Sequence, residues 1–360
     1  MARPPQRQQR LFKELQHRIQ CGEFAPGSRI PARHELVKSY RVSPVTVQRV
    51  FDRLIEEGYV EPRGRSGSFV ADAPPHLNNY WIIFPHESKD AVSPFRLALT
   101  REAQKFARKG QAKFSIHVGH GGNFRHGDYE KLLHDVTTHR TAGIIFATAA
   151  GHWDETPLRK EAGLPRVAFS HGPDGPADIA LVRFDRTSFF ELALDRLKAL
   201  DRSRVALLAC TLPAAYRELF LQGLAQRGME TRPHWTQFVH PHGAAAAHNV
   251  MQLLLNPDQK TRPDALLVLD DVLLEHATTG VRDAGVRVPE ELTVIAHANF
   301  PHPVMATVPV VHLGYDMTGL LERCVAVLTA QRQNESFSHV TLAPAVFADE
   351  PVAVGNPVTR

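Results

Sequence analysis

The stretch Tyr40–Val70, YRVSPVTVQRVFDRLIEEGYVEPRGRSGSFV, joins a helix-length amphipathic pattern to a hairpin pattern rich in glycine and arginine. Ser43 offers a side-chain oxygen for a helix N-cap, and Pro44 suits the first helical position, where its missing N–H would be unpaired anyway. Val47, Val50, Phe51, Leu54 and Ile55 then recur at helical spacing and form one apolar stripe, which Gly58 ends. The opposite face presents Val45, Thr46, Gln48, Arg49, Asp52 and Arg53. Its first turn carries methyl, hydroxyl, amide and guanidinium groups, the types that meet thymine methyls, phosphates and base edges in a major groove. Past Gly58, two short strand patterns flank a turn with Gly64 and Gly67, placing Arg63, Arg65 and Ser66 at the tip. A basic tip of that shape can touch phosphates or enter a minor groove.

Upstream, Leu11, Leu15 and Ile19 stand four apart and predict a helix over 7–20. Gly22, Pro26 and Gly27 break it. Pro31 then opens a second helix over 32–40 with Leu36, Val37 and Tyr40 to bury. Three helices and a basic hairpin make a winged helix-turn-helix, and the charge agrees. Residues 1–72 hold 13 Lys and Arg against 8 Asp and Glu, while the remainder holds 29 against 30, so the whole excess of the +4 chain lies in its first fifth. That asymmetry points to a polyanionic partner for the segment.

The run CGEFAPGSRIPARHELVKSYRVSPVTVQRVFDRLIEEGYVEPRGRSGSFV (21–70) resembles the DNA-binding domain of the GntR family. The resemblance implies that Arg33, His34, Ser43, Val45, Thr46, Gln48 and Arg49, with Arg63, Arg65 and Ser66 of the wing, face DNA. His34 stands where the family often has Arg, with Arg33 one position earlier; Pro44 and Gln48 also replace frequent arginines. Fewer direct guanine contacts are expected, since Arg is the usual reader of guanine.

The stretch ADAPPHLNN (71–79) has no apolar periodicity and reads as a linker. It divides a head at 1–72 from a body at 80–350, with 73–79 between them and a tail at 351–360. From Tyr80 onward short apolar runs such as YWIIF, AGIIFA, RVAFS, RVALLA and ALLVL alternate with helix-length segments. This alternation predicts an α/β body with parallel sheets covered on both faces, and its strand number predicts two subdomains.

Over about 79–350 the chain resembles the effector domain of the LacI/GalR regulators, which has the periplasmic-binding-protein fold. The similarity rests on RELFLQGLAQRGM, on RPDALLVLDDVLLEHATTGVRDAGVRVPEELTVIAHAN and on the ending VTLAPAVFADE. A GntR-type head on such a body is similar to the arabinose repressors of Gram-positive bacteria. The resemblance implies a small molecule of the sugar or sugar-derivative class, bound between subdomains at the carboxyl ends of strands. Candidate liners are Ser93, Phe95, Thr148, His171, Asp185, Tyr216, Arg217, Phe220, Asp270 or Asp271, His297 and Asn299. Two of the family's sugar-binding groups are replaced. Phe220 stands where an Arg is expected three residues before Gly223, and Ala298 stands where an Asp is expected. Arg217, one turn earlier, is a partial substitute at most. Losing a guanidinium and a carboxylate argues against an ordinary pentose or hexose.

Other readings find little support. No run of about 18 apolar residues is present, and the N-terminus MARPPQRQQRLFKEL lacks an export signal's apolar segment, so a cytoplasmic protein is expected. Cys21, Cys210 and Cys324 are too few and too scattered for a disulfide framework or zinc site. GHGGNF (119–124) lacks the Lys-Ser/Thr of a phosphate-binding loop. An aminotransferase-like body would need a pyridoxal-binding lysine, and beyond residue 198 only Lys260, in a polar loop, is present. The expectation is a repressor without metal or cofactor, working as a homodimer on an inverted repeat. Its rivals are a body serving only as a dimerisation scaffold and, more remotely, an α/β enzyme with a regulatory head.

Overall fold

The computed structural model describes residues 6–84, 93–109, 112–119, 127–148, 157–160, 163–170, 172 and 178–348. The head comprises α1 (Gln6–Gln20), α2 (Arg33–Tyr40) and α3 (Pro44–Glu56), followed by β1 (Val60–Pro62) and β2 (Ser68–Val70). Ser43 caps α3 by accepting from the Thr46 N–H at 3.1 Å. The α3 stripe closes against α1: Leu15, Val47, Val50 and Leu54 are wholly buried. Each such side chain contributes roughly 1.5–3 kcal/mol by leaving water. β1 and β2 pair antiparallel with Val60 opposite Val70, and a 3-10 turn, Gly64–Ser66, joins them. The chain before α2 supports the wing, because Ile30 N–H donates to Ser68 O and Val70 N–H to Ser28 O. Pro31 lies outside α2 rather than in its first turn: Ala32 is the N-cap, with its N–H donating to the Glu35 carboxylate at 2.9 Å.

The expected linker is not a free tether. Its second half forms α4 (Pro75–Asn78), Pro74, Pro75 and His76 are buried, and the His76 ring stacks on Tyr59 of the head at 5.9 Å.

The body contains β3 (Asn79–Phe84), α5 (Pro94–Arg108), β4 (Lys113–Val118), α6 (Gly127–Thr137), β5 (Gly143–Phe146), α7 (Pro157–Lys160), β6 (Arg166–Ser170) and β7 (Ala180–Phe184). It continues with α8 (Arg186–Ala199), β8 (Val205–Ala209), α9 (Ala214–Gln226), β9 (Thr236–Phe238), α10 (Ala246–Leu254), β10 (Ala265–Val268) and α11 (Leu274–Asp283). Last come β11 (Thr293–Phe300), β12 (Val311–Asp316), α12 (Met317–Gln333), β13 (Val340–Ala343) and β14 (Val346–Phe347). The strands form two six-stranded sheets, ordered β13-β7-β6-β5-β3-β4 and β14-β12-β11-β10-β8-β9. All their pairings are parallel except β12 with β14. The chain passes between sheets through α8, through α12 and from β13 to β14.

Parallel strands covered on both sides explain the continuous apolar runs. Ile144 and Ile145 are both fully buried, Ile144 in a cluster with Leu132 and Leu158, Ile145 in one with Phe169 and Leu99. Four elements depart from a plain alternation of apolar strands and helices. β12 and the 17-residue α12 were not anticipated from the sequence. The apolar run HWTQFV (234–239) reads as a further strand by the same alternation, but only Thr236–Phe238 is one, after the 3-10 turn Pro233–Trp235. The helical segment after β10 begins as a 3-10 turn, Asp271–Leu273, before α11 proper. α12 lies close on the first sheet: a Cβ at Gly143 would fall 2.9 Å from Leu328, and the Gln331 amide bonds both Arg166 N–H and Arg166 O at 2.8 Å.

The carboxyl ends of the two sheets meet. The Phe184 and Tyr315 rings lie 4.8 Å apart, and Tyr315 donates its hydroxyl to Asp185 O at 3.3 Å. On the other side Glu102 of α5 joins His302, just past β11, at 2.7 Å and accepts from Thr318 at 3.0 Å. Among the described residues no helix is long and apolar enough to cross a membrane.

Candidate nucleic-acid interface and effector site

The N-terminal half of α3 presents an open face of the head. Val45 is 60% exposed although apolar, and Gln48 and Arg49 are exposed beside it. Gln48 is held by its own helix, donating to Asp52 at 2.7 Å. Thr46 Oγ1 shares a 2.8 Å hydrogen bond with Ser43 Oγ, so both hydroxyls are preset at the N-terminus of α3, where phosphates are favoured. Arg49 makes no ion pair among the described residues, unlike Arg53. The latter lies over Phe12 at 3.8 Å and pairs with Glu57 at 2.8 Å, so its guanidinium is held by the head itself.

The two wing arginines differ. Arg63 pairs with Asp72 at 3.1 Å and lies over Phe69, whereas Arg65 and Ser66 are exposed at the tip. On α2, His34 is exposed, but Arg33 lies over the Phe51 ring at 4.5 Å and is half-buried. One cation was missed from the sequence. Exposed Arg29 sits under the wing, with its guanidinium 3.2 Å from where a Cβ at Gly67 would stand. Its signal was the residue type in GSRIP, hidden because only the strand-like pairing of 28–30 with β2 brings it there.

The head is docked on the body. Gln20 Nε2 and the Tyr59 hydroxyl both donate to His139 O, at 3.0 and 3.3 Å. Glu57 lies 3.8 Å from Arg140, which also approaches Asp135. Burial raises the Tyr59 pKa and pushes His76 down to about 4, helped by the charge of Arg332.

At the meeting of the two sheets the candidate effector residues divide. Asp185, Tyr216 and His297 gather around the buried Tyr315. Asp185 caps α8 by accepting from Ser188 N–H at 3.1 Å, and His297 lies 5.6 Å from Tyr315 and 6.2 Å from Phe189, ring to ring. Tyr216 is half-buried with its pKa raised by burial, against the opposing charges of Arg183 and Arg186. Asp271 and Asn299 form a buried pair, the amide donating to the carboxylate. Burial pushes Asp271 up to about 7 despite that bond. Its neighbour Asp270 accepts from Cys210 N–H at 2.6 Å. Ser93 caps α5, and Phe95 closes an aromatic cluster with Phe84, Phe169 and Phe184. Thr148 is half-buried just past β5, and Arg217 is exposed on α9. His171, and GHGGNF beyond Gly119, lie outside the described residues.

Phe220 is a correction. It is 1% exposed, packed ring to ring on Phe190 at 5.6 Å between α8 and α9, and is core rather than lining. Ala298 is likewise fully buried, and its carbonyl occupies the place where a Cβ at Gly314 would stand, so β11 and β12 meet too closely there for a larger strand partner. Arg183 and Arg186, absent from the sequence candidates, bring guanidinium charge to the end of β7 instead. Among the described residues no three potential metal ligands come together.

A winged DNA-reading head joined to two Rossmann-like subdomains defines a DNA-binding transcription regulator with a ligand-binding body. The comparisons place its parts: residues 7–70 match the profile of the gntR family of bacterial regulatory proteins, and residues 194–346 match the periplasmic binding protein-like domain. The chain is 21% identical over 346 residues to the arabinose metabolism transcriptional repressor of Halalkalibacterium halodurans, covering 87% of this chain and 88% of that one. It is 24% identical over 181 residues to the transcriptional repressor PurR of Aliivibrio fischeri, 48% of this chain and 53% of that one. Among solved structures it resembles a LacI family regulator from Arthrobacter in complex with lactose (TM-score 0.58, 15% identity, 75% of this chain and 97% of that one). It also resembles one from Lactobacillus casei with bound glucose (TM-score 0.54, 16% identity, 77% and 100%). These likenesses establish the fold of the body.

Proposed function

We propose that the protein is a cytoplasmic, non-enzymatic repressor that binds an inverted-repeat operator as a homodimer and responds to a small molecule of the sugar or sugar-derivative class. The observation that carries this reading is the exposed Val45–Arg49 face beside the Arg65 tip, on a head docked to a ligand-binding body. The head spans 1–72 and the body 80–350. Val45, Thr46, Gln48 and Arg49 meet the major groove, while Arg29, Arg65 and Ser66 meet the backbone at the wing. The effector occupies the junction near Asp185, Tyr216, His297 and the Asp271–Asn299 pair. By binding one arrangement of the two subdomains better than the other, it biases head geometry and thus DNA affinity. Operator selection from random duplexes, followed by footprinting and sizing of the complex, tests the reading. A symmetric footprint with two protomers is expected, and no sequence preference at all would sink it.

A body that is only a scaffold is the second reading, and burial of Phe220 and Ala298 favours it. Specific thermal stabilisation by a small molecule, coupled to a change in operator affinity, separates the two.

A further inference from the structure

The junction between the sheets holds polar atoms that the protein itself leaves unserved. Arg186 is the first residue of the 14-residue α8, directly after the carboxyl end of β7. Its charge acts on both Tyr216 and Tyr315, and its guanidinium lies near Phe189 at 5.9 Å, which places it at the meeting of the two sheets. Arg186 Nη1 is buried without a hydrogen-bond partner, and the residue makes no ion pair among the described residues. The adjacent Asp185 directs its carboxylate back to cap α8. In the second sheet Asn299, in register with Tyr315, is 1% exposed; its amide nitrogen serves Asp271, but its Oδ1 has no partner.

A buried guanidinium edge without an acceptor and a buried amide oxygen without a donor each cost free energy unless a guest completes them. The guest they specify has two ends. One is anionic, because Arg186 offers a fixed donor fork at the positive end of a helix dipole. The other carries a hydroxyl or amine hydrogen, because Asn299 Oδ1 can only accept. Tyr216, half-buried beside Arg186, supplies a neutral donor for the anion.

We propose that the effector is a hydroxylated anion, a sugar acid or a sugar phosphate, with its charged group on Arg186 and Tyr216 and a hydroxyl on Asn299. This deepens the effector reading above and rests on it.

The test uses the full-length protein at constant ionic strength, with D-gluconate, D-glucuronate, D-glucose 6-phosphate and neutral D-glucose as probes in calorimetry and thermal unfolding. At least one acid should stabilise the parent while D-glucose does not. Arg186→Gln should weaken that acid roughly tenfold to a hundredfold, Arg186→Lys less, since a charge-assisted bond is lost outright in the first and its fork alone in the second. Asn299→Leu should weaken it further without abolishing the dependence on charge. The carboxylate and phosphate arms identify which anion is taken. If none of the acids binds, or if an acid binds the parent and Arg186→Gln alike, the inference is overturned. If D-glucose binds both proteins equally and alters operator affinity, the anionic class fails while the effector reading survives.

Discussion

The Glu57 carboxylate, one residue beyond α3, lies 3.8 Å from the Arg140 guanidinium of the body. The same surface carries Tyr59 and Gln20 on His139 O and Tyr59 on the His76 ring. The end of α3 is therefore tied to the first sheet's subdomain by direct contacts rather than by a flexible cord. Tyr59→Phe removes a buried hydroxyl bond and should cost about 1 kcal/mol of docking; Arg140→Ala should act in the same direction. Limited proteolysis within 71–79 reads this directly. Both variants should be cut faster than the parent, and unchanged cutting would mean the head is held elsewhere.

On the proposed DNA face, the contrast is between arginines with and without an ion-pair partner among the described residues. Arg49→Ala should weaken operator binding by about 1–3 kcal/mol and relax selection at one base pair. Arg65→Ala should weaken binding to every sequence and lower the salt slope by about one. Arg63→Ala should do less, because Asp72 already holds that guanidinium. Fluorescence anisotropy against salt concentration ranks the three, and equal slopes for Arg63 and Arg65 variants would refute the distinction.

An arginine placed at position 220, where the resemblance to LacI/GalR effector domains implies one, should not confer sugar binding. Phe220→Arg places a charge where Phe190 closes the contact between α8 and α9, so the expected outcome is a loss of several kcal/mol of stability. A folded Phe220→Arg protein that gains affinity for a neutral sugar would place Phe220 in the ligand site instead.

Much of the head was legible because its signals are local. Ser43, Pro44 and the stripe from Val47 to Leu54 define α3 within a dozen residues. The strands of the body were legible for a related reason, as burial on both faces writes uninterrupted apolar runs such as Ile82–Phe84 and Val205–Ala209. What was not legible depends on long-range pairing. β12, VHLGYD, breaks its apolar run with Gly314, whose lack of a Cβ is required by the carbonyl of Ala298. Arg186 gives no periodic signal, and only the meeting of β7 with Tyr315 places it at the junction. Phe220 was misplaced because a motif position was read as a ligand position, while α8 had supplied an aromatic partner.

Two buried groups should give the protein opposite responses to pH. Asp271 titrates near about 7 when folded, because burial penalises its charge, against an ordinary value of 3.8. Between those values the folded chain holds a proton that the unfolded chain has released, so this contribution is fully present below the ordinary value and is lost as pH rises through about 7. His76 runs the other way. Buried, and repelled by Arg332, it titrates near about 4 against 6.5, so its contribution is present above 6.5 and is lost as pH falls towards about 4. Asp271→Asn should therefore gain melting temperature over the parent at pH 8 and not at pH 4, retaining an acceptor for Asn299. His76→Phe keeps a ring on Tyr59 and removes the titrating group, so its gain should appear at pH 4.5 and vanish at pH 8. Melting curves of the three proteins across this range check both signs, and parallel profiles would show that neither residue governs the pH dependence.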